Sequence, residues 1–215
     1  MTLRLYFHPL SSFSQKVLVA LYENATPFEP EILPAGDTAA IEALKKIWPI
    51  GKFPVLRDEA RDWTVPETSI IIEYLAEHYP GPVELVPKDP ELARQMRLRD
   101  RFFDLHVNVP MQKIFTDRLR PAGRNDEYGV GQAKEALTTA YGIIDNAMAA
   151  RVWAMGDCFT MADCAAAPAL NYANIAVPLG ETHPHAAAYL ARLKLRPSFA
   201  RALNEAEAYL SLLPR

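Results

Sequence analysis

Pro49-Ile50-Gly51-Lys52-Phe53-Pro54-Val55-Leu56 carries the chain from one apolar-periodic segment into a short run of strand formers. A proline that opens an internal strand has no N–H to give to the ladder. A cis Phe53-Pro54 bond is one resolution of the conflict. It turns the backbone N–H and C=O of Phe53 outward, where they can pair with an extended peptide as an added strand would. Taken alone, Pro54 reads as a proline after a turn; its surroundings give it weight.

Working outward, Leu3–Phe7 is short, apolar and aromatic and ends at His8-Pro9, which predicts a buried strand. Ser11–Glu23 places Phe13, Val17, Leu18, Leu21 and Tyr22 at helical spacing behind serines suited to a helix start. Phe28–Leu33 predicts a second strand, with Pro30 making it irregular or an edge. Thr38–Ile47 is helical, 54–57 and 63–65 are short strands about the turn Arg57-Asp58-Glu59, and Glu67–Tyr79 is a strong helix. The order β-α-β-α-β-β-α over residues 1–79 is an α/β pattern with a mixed sheet.

Composition then changes. Pro80-Gly81-Pro82, Pro87 and Pro90 mark 80–90 as a linker, because proline cannot extend a helix and glycine frees the backbone. From 91 to 215 the periodicity is helical: 91–119, 126–149, 160–175, 186–195 and 198–212. Pro110 predicts a kink in the first of these. The fold class is therefore α/β plus all-α, a small sheet domain followed by a helical bundle.

The balance of 23 Lys+Arg against 26 Asp+Glu, net charge -3, gives no reason to expect nucleic acid. Arg94, Arg97, Arg99 and Arg101, with Glu91, Asp100 and Asp104 beside them, read as a solvated helix face with ion pairs. The beginning of the chain lacks the apolar core of a secretory signal. No run approaches the roughly 18 apolar residues of a membrane span, so a cytoplasmic protein without membrane contact is expected. The two cysteines, Cys158 and Cys164, fit neither CxxC nor a zinc pattern, and both read as small buried hydrophobes; no metal is expected.

Two further segments carry chemistry. Pro66-Glu67-Thr68-Ser69 precedes an apolar helix. Free N–H groups and a hydroxyl at a helix N-terminus suit a carboxylate, and a neighbouring Glu suits an ammonium, so together they fit an α-amino acid head. In Ser11-Ser12-Phe13-Ser14-Gln15-Lys16-Val17 a hydroxyl at the strand-to-helix turn can hydrogen-bond a thiolate, with the helix end favouring its charge. A free thiol has a pKa of about 8.5. Lowering it by about two units, worth ~2.7 kcal/mol, makes thiolate dominant at neutral pH.

In order and spacing these segments resemble the soluble glutathione transferase superfamily, over essentially the whole chain. The family's Pro-x-Gly-x-x-Pro corner is here 49–54, its Glu-Ser pair is Glu67-Thr68, and its Ser/Thr-x-x-Asp capping box is Thr160-Met161-Ala162-Asp163. The run from Ser11 looks most like the serine-type theta and zeta classes. Phe13 where zeta members have cysteine, and Gln15-Lys16 in place of Trp-Arg, speak against maleylacetoacetate isomerase activity.

The resemblance implies a thioredoxin-like N-terminal domain, a homodimer, and glutathione held by Phe53, Pro54, Glu67, Thr68 and Lys52. Ser11 would activate the thiol, with Ser12, Ser14 and Tyr6 left open. A small hydrophobic electrophile would sit between the domains near Phe13, Phe103 and His106, with Phe102, Val107, Val109 and Pro110 as further contributors. Trp48 would cover the ligand or a subunit boundary. The implied activity is detoxifying glutathione S-transfer. Glutathione-dependent isomerisation, dehalogenation or peroxide reduction, or a non-catalytic glutathione-binding dimer module, are the alternatives.

Overall fold

Alternation in Leu3–Phe7 (β1) sends Leu3, Leu5 and Phe7 to one face and Arg4 and Tyr6 to the other. The computed structural model describes residues 2–213; Met1, Pro214 and Arg215, the outer ends of the two expected domains, lie outside the described residues. Around β1 stand Ser12–Glu23 (α1), Glu29–Ile32 (β2), Thr38–Ile47 (α2), Val55–Asp58 (β3), Trp63–Pro66 (β4) and Thr68–His78 (α3). The sheet order is β2-β1-β3-β4. β2 is parallel to β1 and the other pairs are antiparallel, with Leu5 opposite Pro30 and Tyr6 opposite Val55. Pro30 lies on the edge strand, as its missing N–H requires. The mixed sheet and the element order are those expected from the sequence.

The face carrying Leu3, Leu5 and Phe7 packs on Val17, Leu18 and Leu21 of α1 and Ile71, Ile72 and Leu75 of α3. The other face makes a smaller cluster, with Tyr6 against Leu33, Leu44 and Val55 beneath α2.

The helical domain comprises Pro90–Phe102 (α4), Val109–Arg118 (α5), Glu127–Met148 (α6), Met161–Ala176 (α7), Pro184–Leu195 (α8) and Pro197–Ala206 (α9), ending in a 3-10 turn at Glu207–Leu212. The single helix expected over 91–119 is instead α4 and α5 joined by a π-helical segment, Phe103–Asn108. Pro110 is the physical reason: it has no N–H to return to the turn before it. The ladder there lengthens, with Val109 N–H bonding Asp104 C=O five residues back.

The expected capping box holds. Asp163, buried, accepts from Thr160 N–H at 2.9 Å, Ala154 N–H at 2.8 Å and the Tyr189 hydroxyl at 2.6 Å. α1 is sandwiched between the domains, packing on α7 and α9. Its Glu23 takes a bidentate pair from Arg196, both bonds 2.6 Å. One apolar core therefore runs through both domains. Among the described residues no helix is long and apolar enough to cross a membrane. Cys164 is buried as expected, but Cys158 is exposed, since it lies in the loop before α7 rather than on an apolar face.

Candidate functional site

Ser11 is the N-cap of α1. Its extended backbone lets Oγ accept from Ser14 N–H at 3.3 Å. The other two serines are engaged inward. Ser12, buried, donates to Asn108 Oδ1 at 2.8 Å, and Ser14, fully buried, accepts from His8 N–H at 3.4 Å. Among the described residues no protein acceptor takes the Ser11 hydroxyl proton, and the side chain is half-buried. Tyr6 is packed beneath α2. Gln15 donates to Pro9 C=O at 2.8 Å and to the Tyr172 hydroxyl at 3.1 Å, tying the strand-to-helix turn to α7. His8 is buried beside Tyr209; its Nδ1 accepts from Leu10 N–H, and burial lowers its pKa.

The second piece is the corner before β3. Trp48 ends α2, Gly51 takes φ +68°, and Phe53-Pro54 is cis. The register of β3 begins at Val55, so the backbone groups of Phe53 lie before the ladder.

The third piece is the head of α3. Glu67 has φ 69° and ψ 120°, a region that L-residues rarely occupy and that persists where surrounding structure enforces it. Its side chain does not cap the helix. Thr68, Ser69 and Ile70 thus begin α3 with N–H groups that have no intrahelical acceptor.

These pieces meet in one cavity of about 500 Å³. Trp48, Lys52, Phe53 and Pro54 form one side, and Glu67, Thr68 and Ser69 another. From α1 the wall is reached by Phe13 rather than by Ser11, two residues earlier. Leu105, Val109 and Met161 make its apolar end. Phe103 is buried against the opposite side of α4, and His106 is exposed with its ring 5.4 Å from that of Phe102. The structure does not bring these two to the cavity.

The floor was not legible in the sequence. Lys16, 1% exposed, places Nζ 2.7 Å from Asp100 Oδ1, 2.8 Å from Asp104 Oδ2 and 2.9 Å from Ser69 Oγ. Ser69 in turn donates to Asp100 Oδ2 at 2.6 Å. α1, α3 and α4 are joined at this point. Burial raises the Asp104 carboxyl above the usual carboxylate range, opposed by Lys16.

Asp100 and Asp104 therefore do not belong to a solvated face, as had been expected for this stretch. Their i, i+4 spacing turns both into the cleft, and Arg97 and Arg101 line it as well. Arg97 holds Glu73 through bonds of 2.7 and 2.8 Å, and Arg101 reaches Asp104 at 3.3 Å. That four-residue spacing of acids in an arginine-rich helix was the signal available. Among the described residues no group of three or more His, Cys, Asp or Glu is placed to hold a metal ion.

A site with exposed backbone groups at a strand edge, free N–H groups at a helix end, and carboxylates and cations side by side suits a small zwitterionic peptide. Residues 5–83 match the glutathione S-transferase N-terminal domain, and residues 91–192 match the glutathione S-transferase C-terminal domain. The chain belongs to the glutathione S-transferase family. It is 29% identical over 209 residues to a glutathione S-transferase-like protein, OpS6, of Beauveria bassiana, covering 91% of this chain and 92% of that one. It is 27% identical over 213 residues to a stringent starvation protein A homolog of Coxiella burnetii, covering 96% and 93%. A glutathione S-transferase of Methylobacterium radiotolerans, solved in complex with glutathione sulfonate, is 28% identical, with a TM-score of 0.82 and 94% of each chain covered.

Proposed function

We propose that this chain is a glutathione S-transferase that binds glutathione in the cavity between the Phe53-Pro54 corner and the head of α3, and activates its thiol at Ser11. The observation carrying this reading is the meeting of that corner, the uncapped α3 N-terminus and strained Glu67 in one cavity beside the start of α1. Phe53 pairs with the cysteinyl backbone. Thr68 and the α3 N–H groups take the γ-glutamyl carboxylate, and Glu67 takes its ammonium. Lys52 meets the glycyl end. Ser11 donates its hydroxyl proton as a hydrogen bond to the sulfur, and the first turn of α1 favours the thiolate charge. The thiolate attacks a hydrophobic electrophile at the apolar end, near Phe13 and Val109, and the leaving group departs with its bonding electrons. The proposed setting is a cytoplasmic homodimer acting in detoxification, each chain made of domains 1–79 and 91–215 joined by the linker 80–90.

The test is a glutathione titration followed by ultraviolet thiolate absorbance, in the parent and in Ser11→Ala. The parent is expected to saturate with a thiol pKa about two units below ~8.5, and the variant to return toward ~8.5. Thiolate retained in the variant would remove Ser11 from the mechanism. No binding at millimolar glutathione would remove the transferase reading itself.

Resemblance to a protein named as a stringent starvation protein A homolog, and not as a transferase, leaves room for a second reading, a non-catalytic glutathione-binding dimer module. Glutathione binding with no conjugation, isomerisation, dehalogenation or peroxide reduction across an electrophile panel would support it.

A further inference from the structure

The backbone turns directly after β1. Ser11 N–H returns to the His8 C=O at 3.0 Å, so His8-Pro9-Leu10-Ser11 is a β-turn with proline in second place, where its fixed φ of about −65° suits it. The first place in such turns favours Asn, Asp or Ser, and an Asn or Asp oxygen there accepts the N–H two residues on. Here a histidine holds that place and its ring does the same work: Nδ1 accepts from Leu10 N–H at 3.2 Å.

His8 is also tied to the start of α1. Its own N–H donates to Ser14 Oγ at 3.4 Å, and Ser14 N–H donates to Ser11 Oγ at 3.3 Å. With the bond from Ser11 N–H back to His8 C=O, a closed ring of contacts runs through His8, Ser14 and Ser11. The imidazole is 7% exposed, and the ring packed against it is that of the titratable Tyr209, with centroids 5.1 Å apart and planes at 69°. Only a neutral ring can accept at Nδ1, which places the proton on Nε2, where the described residues offer no partner. A charged ring would instead turn a second N–H toward Leu10 N–H. Burial lowers the His8 pKa and so keeps the accepting form.

We propose that His8 is a positioning residue for thiol activation: its Nδ1 sets the turn that carries Ser11, and with it the direction of the Ser11 hydroxyl. The inference rests on Ser11 being the activating group.

The test follows ultraviolet thiolate absorbance of the glutathione-saturated protein against pH, in the parent, His8→Leu, His8→Asn, Ser11→Ala and the double variant His8→Leu/Ser11→Ala. Leucine keeps an apolar side chain in the buried place but offers no acceptor, whereas asparagine supplies an oxygen to the same N–H. His8→Leu is expected to raise the bound-thiol pKa by about one unit, so that thiolate well below that pKa falls about tenfold. His8→Asn should stay near the parent, and the double variant should match Ser11→Ala, because His8 acts through Ser11. A bound-thiol pKa unmoved in His8→Leu, or higher in the double variant than in Ser11→Ala, would overturn the proposal. So would a raised pKa in His8→Asn, a test that holds even where His8→Leu does not fold. A shift in Ser11→Ala without one in His8→Leu removes the role of His8 and leaves the Ser11 reading standing. Parent thiolate that survives in Ser11→Ala removes both.

Discussion

Lys16→Met removes the one cation enclosed between Asp100 and Asp104 while preserving most of the volume. Lys16 and Asp100 are each 1% exposed and Asp104 4%, so water cannot replace the lost charge. Breaking a buried ion pair by deleting one partner typically costs about 3–5 kcal/mol, because the remaining charge stays buried. Here two buried carboxylates lose the Lys16 ammonium at once, Asp104 keeping only Arg101 at 3.3 Å and Asp100 only the Ser69 hydroxyl at 2.6 Å, which places the expected loss in that range. For a chain of this size that corresponds to a fall in melting temperature of roughly 10 °C.

The pH dependence has a definite sign. Burial already holds the folded Asp104 carboxyl above its ordinary value, and loss of Lys16 drives it further up. An acid whose folded pKa is raised contributes stability below its unfolded pKa and loses it as pH rises through the folded one. The deficit of Lys16→Met is therefore largest near neutrality and shrinks toward about pH 5, as the folded variant takes up a proton. Urea unfolding followed by circular dichroism at about pH 7.5 and about pH 5 measures this, with Lys16→Met/Asp104→Asn as companion, expected to recover at least ~1 kcal/mol. A variant within about 1 kcal/mol of the parent at about pH 7.5, or a deficit that does not shrink on acidification, would refute the electrostatic account of this floor.

Glu67→Gly should separate strain from binding. Glycine relieves a φ of 69°, so the urea midpoint should stay within about 1 kcal/mol of the parent or rise, while calorimetry shows glutathione affinity reduced about tenfold by loss of the carboxylate. Asp163→Asn should act in the opposite way. The buried carboxylate accepts from two backbone N–H groups and the Tyr189 hydroxyl, and an amide offers a single acceptor oxygen, so stability should fall by about 3 kcal/mol in urea. Glutathione affinity of the folded protein should be unaltered, since this residue supports the bundle rather than the cavity.

The elements were legible because each carries its own local chemistry. Alternation in β1, the proline on β2, the capping box at Thr160 and Asp163, and the 3.6-residue spacing of α1 and α3 act over a few residues, and the chain states them directly. The segments proposed to meet glutathione were legible for a related reason. The Phe53-Pro54 corner and the Glu67-Thr68 head are backbone devices, set by proline and by a helix start. Pro110 announced an irregular helix, but the lengthened ladder that answers it emerged only with coordinates, because it depends on which carbonyls are within reach.

The sequence by itself determined the α/β-then-α order, the family, and the residue types available to meet a peptide. Tertiary structure decided which of them share a space. Phe13 lines the cavity, whereas Phe103 and His106 do not, because the direction in which each faces depends on the π-helical segment and on packing across α4. Lys16, Asp100 and Asp104 lie 84 and 88 positions apart along the chain (100 − 16 and 104 − 16) and meet within 2.8 Å. No periodicity encodes that meeting. It follows from packing α1 against both domains, which withdraws the three charges from water together and leaves each the others as partners.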